Sequence, residues 1–444
     1  MNTPICDFVQ KYNESGTLRL HMPGHKGKPF LGMEGLDLTE IAGADSLYEA
    51  DSIIRESEAN ASALFGCPTY YSAEGSSQCI RAMLYLLCLH ARSRGQKPVI
   101  AAGRNAHKTF LSAAVLLDFA LHWLCPASSD SYLSCLPTSV EVEAFLTHAD
   151  PKPTAVYLTS PDYLGSAADI AGIAKVCHRH GVLLAVDNAH GAYLHFLENP
   201  MHPMDLGADL CCDSAHKTLP ALTGAAYLHL SDHMDFPAED VKNALALFGS
   251  TSPSYLILQS LDRVNRYLAE GYRETLASFC ERVRTYRKQL TDAGYEFRGD
   301  EPVKLTLCTK SYGYRGDTLA GILRQNRIEC EFADPDFLVL MTTPETGEAG
   351  LAALTEVLAF LPKRPPIHTI PPRFILPERI CSPREAAFAP RETLPAERCI
   401  GRVLAAANVG GPPAVPIVVC GERIDAAAAE AFRYYGIHTC SVLK

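Results

Sequence analysis

The chain has 444 residues, of which 47% are hydrophobic and 20% charged, and its formal net charge is −10 at pH 7. A chain of this length exceeds a single hydrophobic core, so two or three domains are expected. The negative charge argues against nucleic acid and anionic membranes as partners. The start has no signal-peptide pattern, and no stretch reaches the roughly 18 apolar residues of a membrane span. We therefore expect a cytoplasmic protein.

Sixteen cysteines are scattered along the chain and are never spaced as C-x-x-C. This distribution favours neither a zinc ribbon nor a thioredoxin-like motif. Cys211 and Cys212 lie near His216, but adjacent strand residues point to opposite faces, so the pair cannot easily share one ion. We expect no metal and mostly reduced, buried thiols.

Predicted strands and helices alternate between residues 60 and 230. The predicted strands are 69–72, 98–102, 155–159, 183–186, 209–212 and 225–230. The predicted helices are 76–89, 109–120 and 169–180, and Gly181 closes the last of them. Repeated βα units predict a mostly parallel sheet with helices on both faces. Ligands of such sheets bind beyond the carboxyl ends of the strands.

The remainder of the chain predicts a second, smaller α/β region. A long helix or helix pair at 254–292 leads to it, the proline-rich run 362–377 is typical of a linker, and the compact tail has one short helix at 426–435. We expect four segments, namely an N-terminal arm (1–55), a major domain (56–292), a small α/β domain (293–370) and a C-terminal domain (371–444).

Asp187 and Lys217 each follow a predicted buried strand, within VLLAVDNAHGAY and ADLCCDSAHKTL. An acid at one strand end and a Ser-x-His-Lys at another are what pyridoxal 5′-phosphate (PLP) requires. Asp187 would keep the pyridine nitrogen protonated, and Lys217 would hold the cofactor as a Schiff base and move protons. The alternative is an ordinary sheet edge with a solvated aspartate and lysine.

A phosphate group needs backbone N–H groups and hydroxyls. Gly75-Ser76-Ser77, between a predicted strand and a predicted helix, supplies both together with the helix dipole. Simple N-capping by Ser76 or Ser77 is the alternative. Ser214 is a candidate for a second phosphate contact, and His216 for a contact to phosphate or to a substrate carboxylate.

Several stretches resemble the Orn/Lys/Arg decarboxylase family of fold-type-I PLP enzymes, in its short bacterial form without an N-terminal receiver-like domain. They include LRLHMPGHKGKP (18–29), AEGSSQCIRAML (73–84), GRNAHKTF (103–110), VDNAHGAYLHF (186–196) and DSAHKTLPALTGAAYLHL (213–230). Residues 381–403 resemble the C-terminal domain of that family. The resemblance implies an α/β protein with an aspartate-aminotransferase-like large domain, a mostly parallel sheet and a smaller C-terminal α/β domain.

The resemblance also implies the roles of individual residues. Lys217 would bind PLP, Asp187 would contact the pyridine nitrogen and His107 would lie over the ring, unless His107 is a surface residue. His216 would complete the catalytic residues. The phosphate would be surrounded by the glycine, serines and histidine named above.

The resemblance further implies a homodimer, or a higher homo-oligomer, with a shared active site. Thr251 and Ser252 would reach the cofactor of the partner subunit. The segment 21–26 would be an arm near the active-site mouth or the dimer interface, with a plain Pro-Gly turn as its alternative.

The implied reaction is PLP-dependent decarboxylation of an amino acid, with arginine, lysine and ornithine as candidate substrates. A basic side chain needs a carboxylate, and Glu329, Glu331 and Asp334 are candidates, although each is more simply explained as a solvated charge. An aminotransferase or a β-eliminating lyase remains an alternative, with Arg373 or Arg384 gripping the α-carboxylate. A non-catalytic PLP-binding relative is a further alternative.

Three departures from the family pattern leave the substrate open. Asn188 stands where the family usually has an acid, and Thr223-Gly224 where it typically has Thr-Gln. The tail at 408–424 lacks the Pro-Tyr-Pro-Pro-Gly run of the family.

Overall fold

The computed structural model describes residues 1–126, 131–409 and 415–444. The chain forms two compact units. The first contains Met1–His90 and Leu183–Leu276, and the second contains Ala91–Val182 and Ala277–Lys444. No helix in the described ranges combines the length and the apolar character needed to cross a membrane.

Fourteen α-helices lie in the described ranges and are numbered in chain order. They are α1 (Pro4–Glu14), α2 (Ile53–Phe65), α3 (Ser76–Ser93), α4 (Lys108–Leu117), α5 (Ser139–His148), α6 (Ile170–Arg179), α7 (Ala215–Thr218), α8 (Ala238–Ala246), α9 (Tyr255–Ala269), α10 (Tyr272–Asp292), α11 (Gly316–Gln325), α12 (Gly347–Phe360), α13 (Pro383–Phe388) and α14 (Ala426–Tyr434).

The strands are numbered in the same way. They are β1 (Thr69–Ser72), β2 (Val99–Gly103), β3 (Ala120–Leu124), β4 (Ala155–Thr159), β5 (Leu183–Asp187), β6 (Leu210–Asp213), β7 (Ala226–Leu230), β8 (Phe297–Arg298), β9 (Lys304–Cys308), β10 (Phe332–Ala333), β11 (Phe337–Met341), β12 (Arg391–Pro395), β13 (Asn408–Val409), β14 (Val418–Val419) and β15 (Thr439–Leu443).

Four strands of a mostly parallel seven-stranded sheet belong to the first unit, in the order β1-β7-β6-β5. β5 and β6 are parallel, whereas β7 is antiparallel to both β6 and β1. β1, β5 and β6 therefore run in the same direction, and their carboxyl ends meet at one edge of the sheet. β5 and β6 are almost wholly buried, which explains why their sequences are nearly continuous apolar runs.

The second unit contains three parallel strands in the order β4-β2-β3 and a four-stranded antiparallel sheet in the order β10-β11-β9-β8. Two small antiparallel pairs, β12-β15 and β13-β14, lie in its C-terminal part. A core of buried side chains that includes Leu133, Val339, Leu404 and Phe432 connects these elements.

Most predicted elements are confirmed. The strands at 69–72 and 155–159 have the predicted bounds, and the other predicted strands agree to within one residue at each end. The helix at 76–89 extends to Ser93. The segment 254–292 is a helix pair, broken where Gly271 adopts φ +84°.

Two predictions were wrong in part. The helix predicted at 109–120 ends at Leu117, because Asp118 adopts a left-handed conformation with φ 56°. The strand β3 begins at Ala120, and the apolar residues on both sides of Asp118 had hidden the boundary between helix and strand. The tail has a second short helix, α13, whose Ser382 and Glu385 form a capping box.

Candidate active site

The strand register brings the two central residues of the prediction to the same edge of the sheet. Asp187, the last residue of β5, lies opposite Cys212 of β6. β6 ends one residue later, and the short helix α7 that follows carries Lys217. Asp187 is 2% exposed, and its Oδ1 accepts hydrogen bonds from the backbone N–H of Ala189 (3.2 Å) and from the Cys212 thiol (3.7 Å).

Lys217 lies next to a histidine that the sequence had not led us to select. Its Nζ lies 3.0 Å from Nε2 of His190, which is 6% exposed. His190 stands three residues after Asp187, within VDNAHGAY. The signal was therefore available in the sequence, because a polar residue just beyond a buried strand lies at the same edge as the strand end.

The predicted phosphate loop lies at this edge as well. Gly75 has φ +74°, and its N–H donates to the carbonyl of Gly224 at 2.7 Å. Ser76 begins the 18-residue helix α3, and the hydroxyl of Ser214 donates to the Ser76 hydroxyl at 2.8 Å. Two predicted phosphate contacts, 138 residues apart in the chain, are thus adjacent in space at a helix N-terminus.

The structure explains why glycine occupies position 224. Gly224 adopts φ +100°, and a Cβ atom there would lie 3.0 Å from the carbonyl oxygen of Ala73. A glutamine, the residue typical of the family, would need this backbone to move. The departure is therefore a local backbone requirement of the turn that holds Gly75.

Asn188 is likewise explained by its neighbour. Its Nδ2 donates to Oδ1 of Asp213 at 2.7 Å, and both residues are fully buried. Oδ2 of Asp213 accepts hydrogen bonds from Nε2 of His202 (3.0 Å) and Nε2 of His229 (3.1 Å). An acid at position 188 would place two buried carboxylates against each other, whereas the amide supplies a donor.

Asp213 is anionic in this environment. Burial by itself would raise the pKa of its carboxyl, but His202 and His229 outweigh burial and hold that pKa well below its usual range. The side-chain atoms of Cys211, His202 and Asp213 that could bind a metal ion all lie within 4.8 Å of one another. Asp213 uses its two oxygens for three N–H hydrogen bonds, so these contacts form a hydrogen-bond network.

The two remaining predicted histidines are held by local hydrogen bonds. Nδ1 of His216 donates to the carbonyl of Ala225 at 2.9 Å, which fixes the ring beside Lys217. His107 belongs to the second unit, where it is the N-cap of α4 and its Nδ1 accepts the backbone N–H of Thr109 at 3.2 Å. Nδ1 of His107 is therefore unprotonated, and a neutral ring carries its proton on Nε2.

The turn that contains Thr251 and Ser252 is connected to the phosphate loop. The N–H of Ser250 donates to the carboxylate of Glu74, which precedes Gly75. Ser252 donates its N–H to the Ser250 hydroxyl at 2.6 Å. Thr251 and Ser252 are themselves exposed on the single chain.

The three candidate carboxylates for a basic side chain differ in their surroundings. Glu329 is exposed and forms an ion pair with Arg324 at 2.7 Å. Glu331 accepts a hydrogen bond from the hydroxyl of Tyr163 at 2.7 Å. Asp334 is buried, and its Oδ2 has no hydrogen-bond partner in the described part of the chain. Within the atypical tail at 408–424, residues 410–414 lie outside the described residues.

The residues at the sheet edge of the first unit fit PLP. A phosphate would meet the N-terminus of α3 and the facing hydroxyls of Ser76 and Ser214, and a Cβ built on Gly75 would meet no atom closer than 4.0 Å. The half-buried amine of Lys217 and the buried carboxylate of Asp187 supply the other two functions that this cofactor needs.

Comparisons with known proteins identify the family and the fold of the chain. The family model described as Orn/Lys/Arg decarboxylase, major domain, matches residues 3–302. The arginine decarboxylases of Halalkalibacterium halodurans and Bacillus subtilis are each 28% identical, over 95% of this chain and 91% of theirs. The lysine decarboxylase LdcF of Francisella novicida has the same fold, with a TM-score of 0.82, 17% identity and coverage of 100% of this chain and 81% of that one.

Fold and site together define a PLP-dependent enzyme of fold type I. The chain belongs to the Orn/Lys/Arg decarboxylase family, and it is an amino acid decarboxylase. The predicted family, fold class, cofactor and enzyme class are confirmed.

Proposed function

We propose that this enzyme decarboxylates arginine to the corresponding amine and CO₂. The observation that carries the proposal is the parallel register of β5 and β6, which places Asp187 and the Lys217 helix at one edge of the sheet. Arginine is preferred over lysine because the two arginine decarboxylases match at 28% identity along nearly their whole length, whereas the lysine decarboxylase structure matches at 17%.

Each residue at the edge has a proposed task. Lys217 holds the aldehyde of the cofactor, and the buried carboxylate of Asp187 keeps the pyridine nitrogen protonated. Ser76 and Ser214 bind the phosphate through their hydroxyls at the N-terminus of α3. Gly75, whose N–H donates to Gly224, leaves room for the phosphate beside this helix end. PLP, when bound, supplies the electron sink for the charge left on Cα when CO₂ departs.

The neighbours of these residues are proposed to move protons and to fix positions. His190 accepts a proton from Nζ of Lys217, which must be neutral to react, and the 3.0 Å contact supports this role. Ser77 adds a further phosphate contact. His216, whose ring is fixed by the carbonyl of Ala225, faces phosphate or substrate carboxylate, and His107 limits the motion of the ring.

Asp334 is proposed as the acceptor for the basic end of the substrate. Glu329 and Glu331 already have partners, whereas Oδ2 of Asp334 has none within the described ranges. The test is the kinetics of Asp334→Asn. We expect KM for arginine to rise at least about tenfold, the cost of roughly one charged hydrogen bond. An unchanged KM would exclude Asp334 from the substrate site.

We also propose that the enzyme acts in the cytoplasm, because its sixteen free thiols favour a reducing compartment. We further propose that it is a homodimer. The arm supports the dimer. Arg19 is buried and donates to the carbonyl of Gly35 at 2.7 Å, whereas Leu20 and Leu31 of the same arm are 82% and 85% exposed. Such apolar side chains on an anchored segment are typical of a surface that a second copy covers.

Subunit mixing tests the shared active site. Lys217→Ala and the double variant Thr251→Ala/Ser252→Ala should each have little activity alone. In a one-to-one mixture, exchange of subunits makes about half of the dimers mixed, and each mixed dimer keeps one of its two sites intact. The mixture should therefore recover up to about a quarter of the parental rate. Absence of recovery, with mixed dimers verified by mass spectrometry, would contradict the proposal.

The substrate is tested by incubating the PLP-loaded enzyme with arginine, lysine, ornithine and a neutral control such as leucine. CO₂ and amine should appear in equal amounts, with the highest kcat/KM for arginine. Formation of a keto acid without CO₂ would instead support an aminotransferase. Turnover of lysine or ornithine in preference to arginine would reject the proposed substrate and leave the decarboxylase class intact.

A further inference from the structure

A cavity of about 180 Å³ lies in the second unit, beside the polar elbow that follows β2. None of the residues that we propose to hold PLP lines this cavity. Its wall includes Arg104, Asn105, Cys125, Tyr132, Arg373 and Phe374. The volume is enough for a small metabolite, since one water takes about 30 Å³ of the liquid.

Arg104 forms a rigid side of this cavity. It is 4% exposed, and its guanidinium lies over the rings of Trp123 and Phe374. Nη2 forms an ion pair with Glu422 at 3.0 Å, and both terminal nitrogens donate to backbone carbonyls. The Nε–H group is buried and has no acceptor in the described part of the chain.

The side-chain amide of Asn105 has no hydrogen-bond partner in the described part of the chain. Its side chain is 2% exposed, and neither Oδ1 nor Nδ2 has a hydrogen-bond partner among residues 1–126, 131–409 and 415–444. Buried amides are almost always hydrogen-bonded, because an unpaired one loses its water without replacement. Since the residue lines the cavity, a molecule inside the cavity can supply the missing donor and acceptors.

The charge of the cavity favours an anion. The charge of Arg104 is balanced by Glu422, whereas Arg373 is exposed and has no ion pair with any described residue. The lining therefore offers the Arg373 guanidinium, the Nε–H of Arg104 and the two N–H groups of Asn105 as donors, and Oδ1 of Asn105 as an acceptor without a partner in the described part of the chain. A carboxylate matches the donors, and a hydroxyl or amino group matches the acceptor.

We propose that this cavity binds a small carboxylate that also carries a hydrogen-bond donor, the chemistry shared by free hydroxy acids and amino acids. Arg373 and the Nε–H of Arg104 bind the carboxylate. Asn105 binds the hydroxyl or amino group through Oδ1 and a carboxylate oxygen through Nδ2. The proposal rests on the lining of this cavity and holds whichever amino acid the enzyme decarboxylates.

Calorimetry on the PLP-loaded enzyme tests the site with L-malate, L-aspartate and succinate. Malate represents the hydroxy acids, aspartate the amino acids, and succinate is the matched diacid without a donor. At least one of the first two should bind once per chain and about tenfold more tightly than succinate. No saturable binding of malate or aspartate up to about 20 mM would overturn the proposal.

A pair of arginine variants locates the binding. Arg373→Gln should weaken binding of the better probe at least about tenfold, because it removes the uncompensated charge. Arg398→Gln removes an exposed arginine of the same unit that does not line the cavity, and it should leave the Kd unchanged. Equal effects of the two variants would show that the probe binds elsewhere.

Thermal unfolding of Asn105→Leu provides an independent readout. The variant removes the unpaired amide, so its Tm without ligand should rise by about 2–4 °C. The better probe should raise the Tm of the parent and leave that of the variant unchanged. A variant that unfolds earlier and still responds to the probe would overturn the role of Asn105.

Discussion

Two buried aspartates, Asp213 in the first unit and Asp334 in the second, have opposite electrostatics. Asp213 accepts three side-chain N–H hydrogen bonds, and its pKa lies well below the usual range. Asp334 accepts two backbone N–H bonds on Oδ1, each of 2.7 Å, and none on Oδ2 from the described chain. Burial raises the pKa of Asp334 to about 6.

The difference shows that burial alone does not decide the charge of a carboxyl group. Both side chains are removed from water, but only Asp213 has donors on each oxygen. Asp213 can therefore hold Asn188 beside the carboxyl end of β5 through a hydrogen bond. Ser214, a proposed phosphate contact, is the next residue in the chain after Asp213. The hydrogen-bonded carboxylate of Asp213 thus fixes the residues around the sheet edge that carries Asp187 and Lys217. Asp334, in contrast, has an oxygen that a ligand could use.

The largest effect on stability is expected for Asp213→Ala. This change leaves the donors of Asn188, His202 and His229 buried without an acceptor, so the free energy of unfolding should fall by about 3–5 kcal/mol. Urea unfolding measures the loss. Asp205→Ala is the matched control, because Asp205 pairs with His195 in a more exposed place, and it should cost less than about 1 kcal/mol. Equal losses would remove the special role of Asp213.

A charge exchange between positions 188 and 213 should give the next largest effect. Asn188→Asp places two buried carboxylates in contact and should cost about 2–4 kcal/mol. The double variant Asn188→Asp/Asp213→Asn restores a donor between the side chains and should recover about 1–3 kcal/mol relative to the sum of the single variants. Additive single effects, measured in the same urea series, would show that the two residues are not coupled.

Asp334→Asn should stabilise the protein, in contrast to any change at Asp213. Between about pH 4 and pH 6 the folded Asp334 keeps a proton that the unfolded chain has lost, so stability falls as the pH rises through this window. The asparagine variant lacks this loss and should be about 2 kcal/mol more stable at pH 7.5 and no different near pH 3.5.

Asp336→Asn is the control for that variant. Asp336 pairs with Lys310 at 2.6 Å and accepts the hydroxyl of Tyr434 at 2.8 Å, so losing its charge should destabilise the protein at pH 7.5. Stabilisation by both variants would mean that the loss of any acidic charge in this region, and not the absence of an ion pair at Asp334, controls the effect.

The sequence predicted the strands and the chemistry at their ends because both are local signals. Continuous apolar runs that end in polar residues were enough to locate β4, β5 and β6, and with them Asp187 and Lys217. The Asp213 network could not be predicted in this way, since His202 and His229 reach it only through the tertiary fold. The helix expected at 109–120 was wrong because the left-handed Asp118 carries no strong signal in an apolar run.

The central claim is that Lys217 binds the cofactor at the edge shared with Asp187. Borohydride reduction of the PLP-loaded enzyme, followed by proteolysis and mass spectrometry, fixes the cofactor covalently to the amine that holds it. We expect one phosphopyridoxyl group per chain, on the peptide that contains Lys217. A label on another lysine, or an unlabelled chain with full cofactor content, would contradict the account.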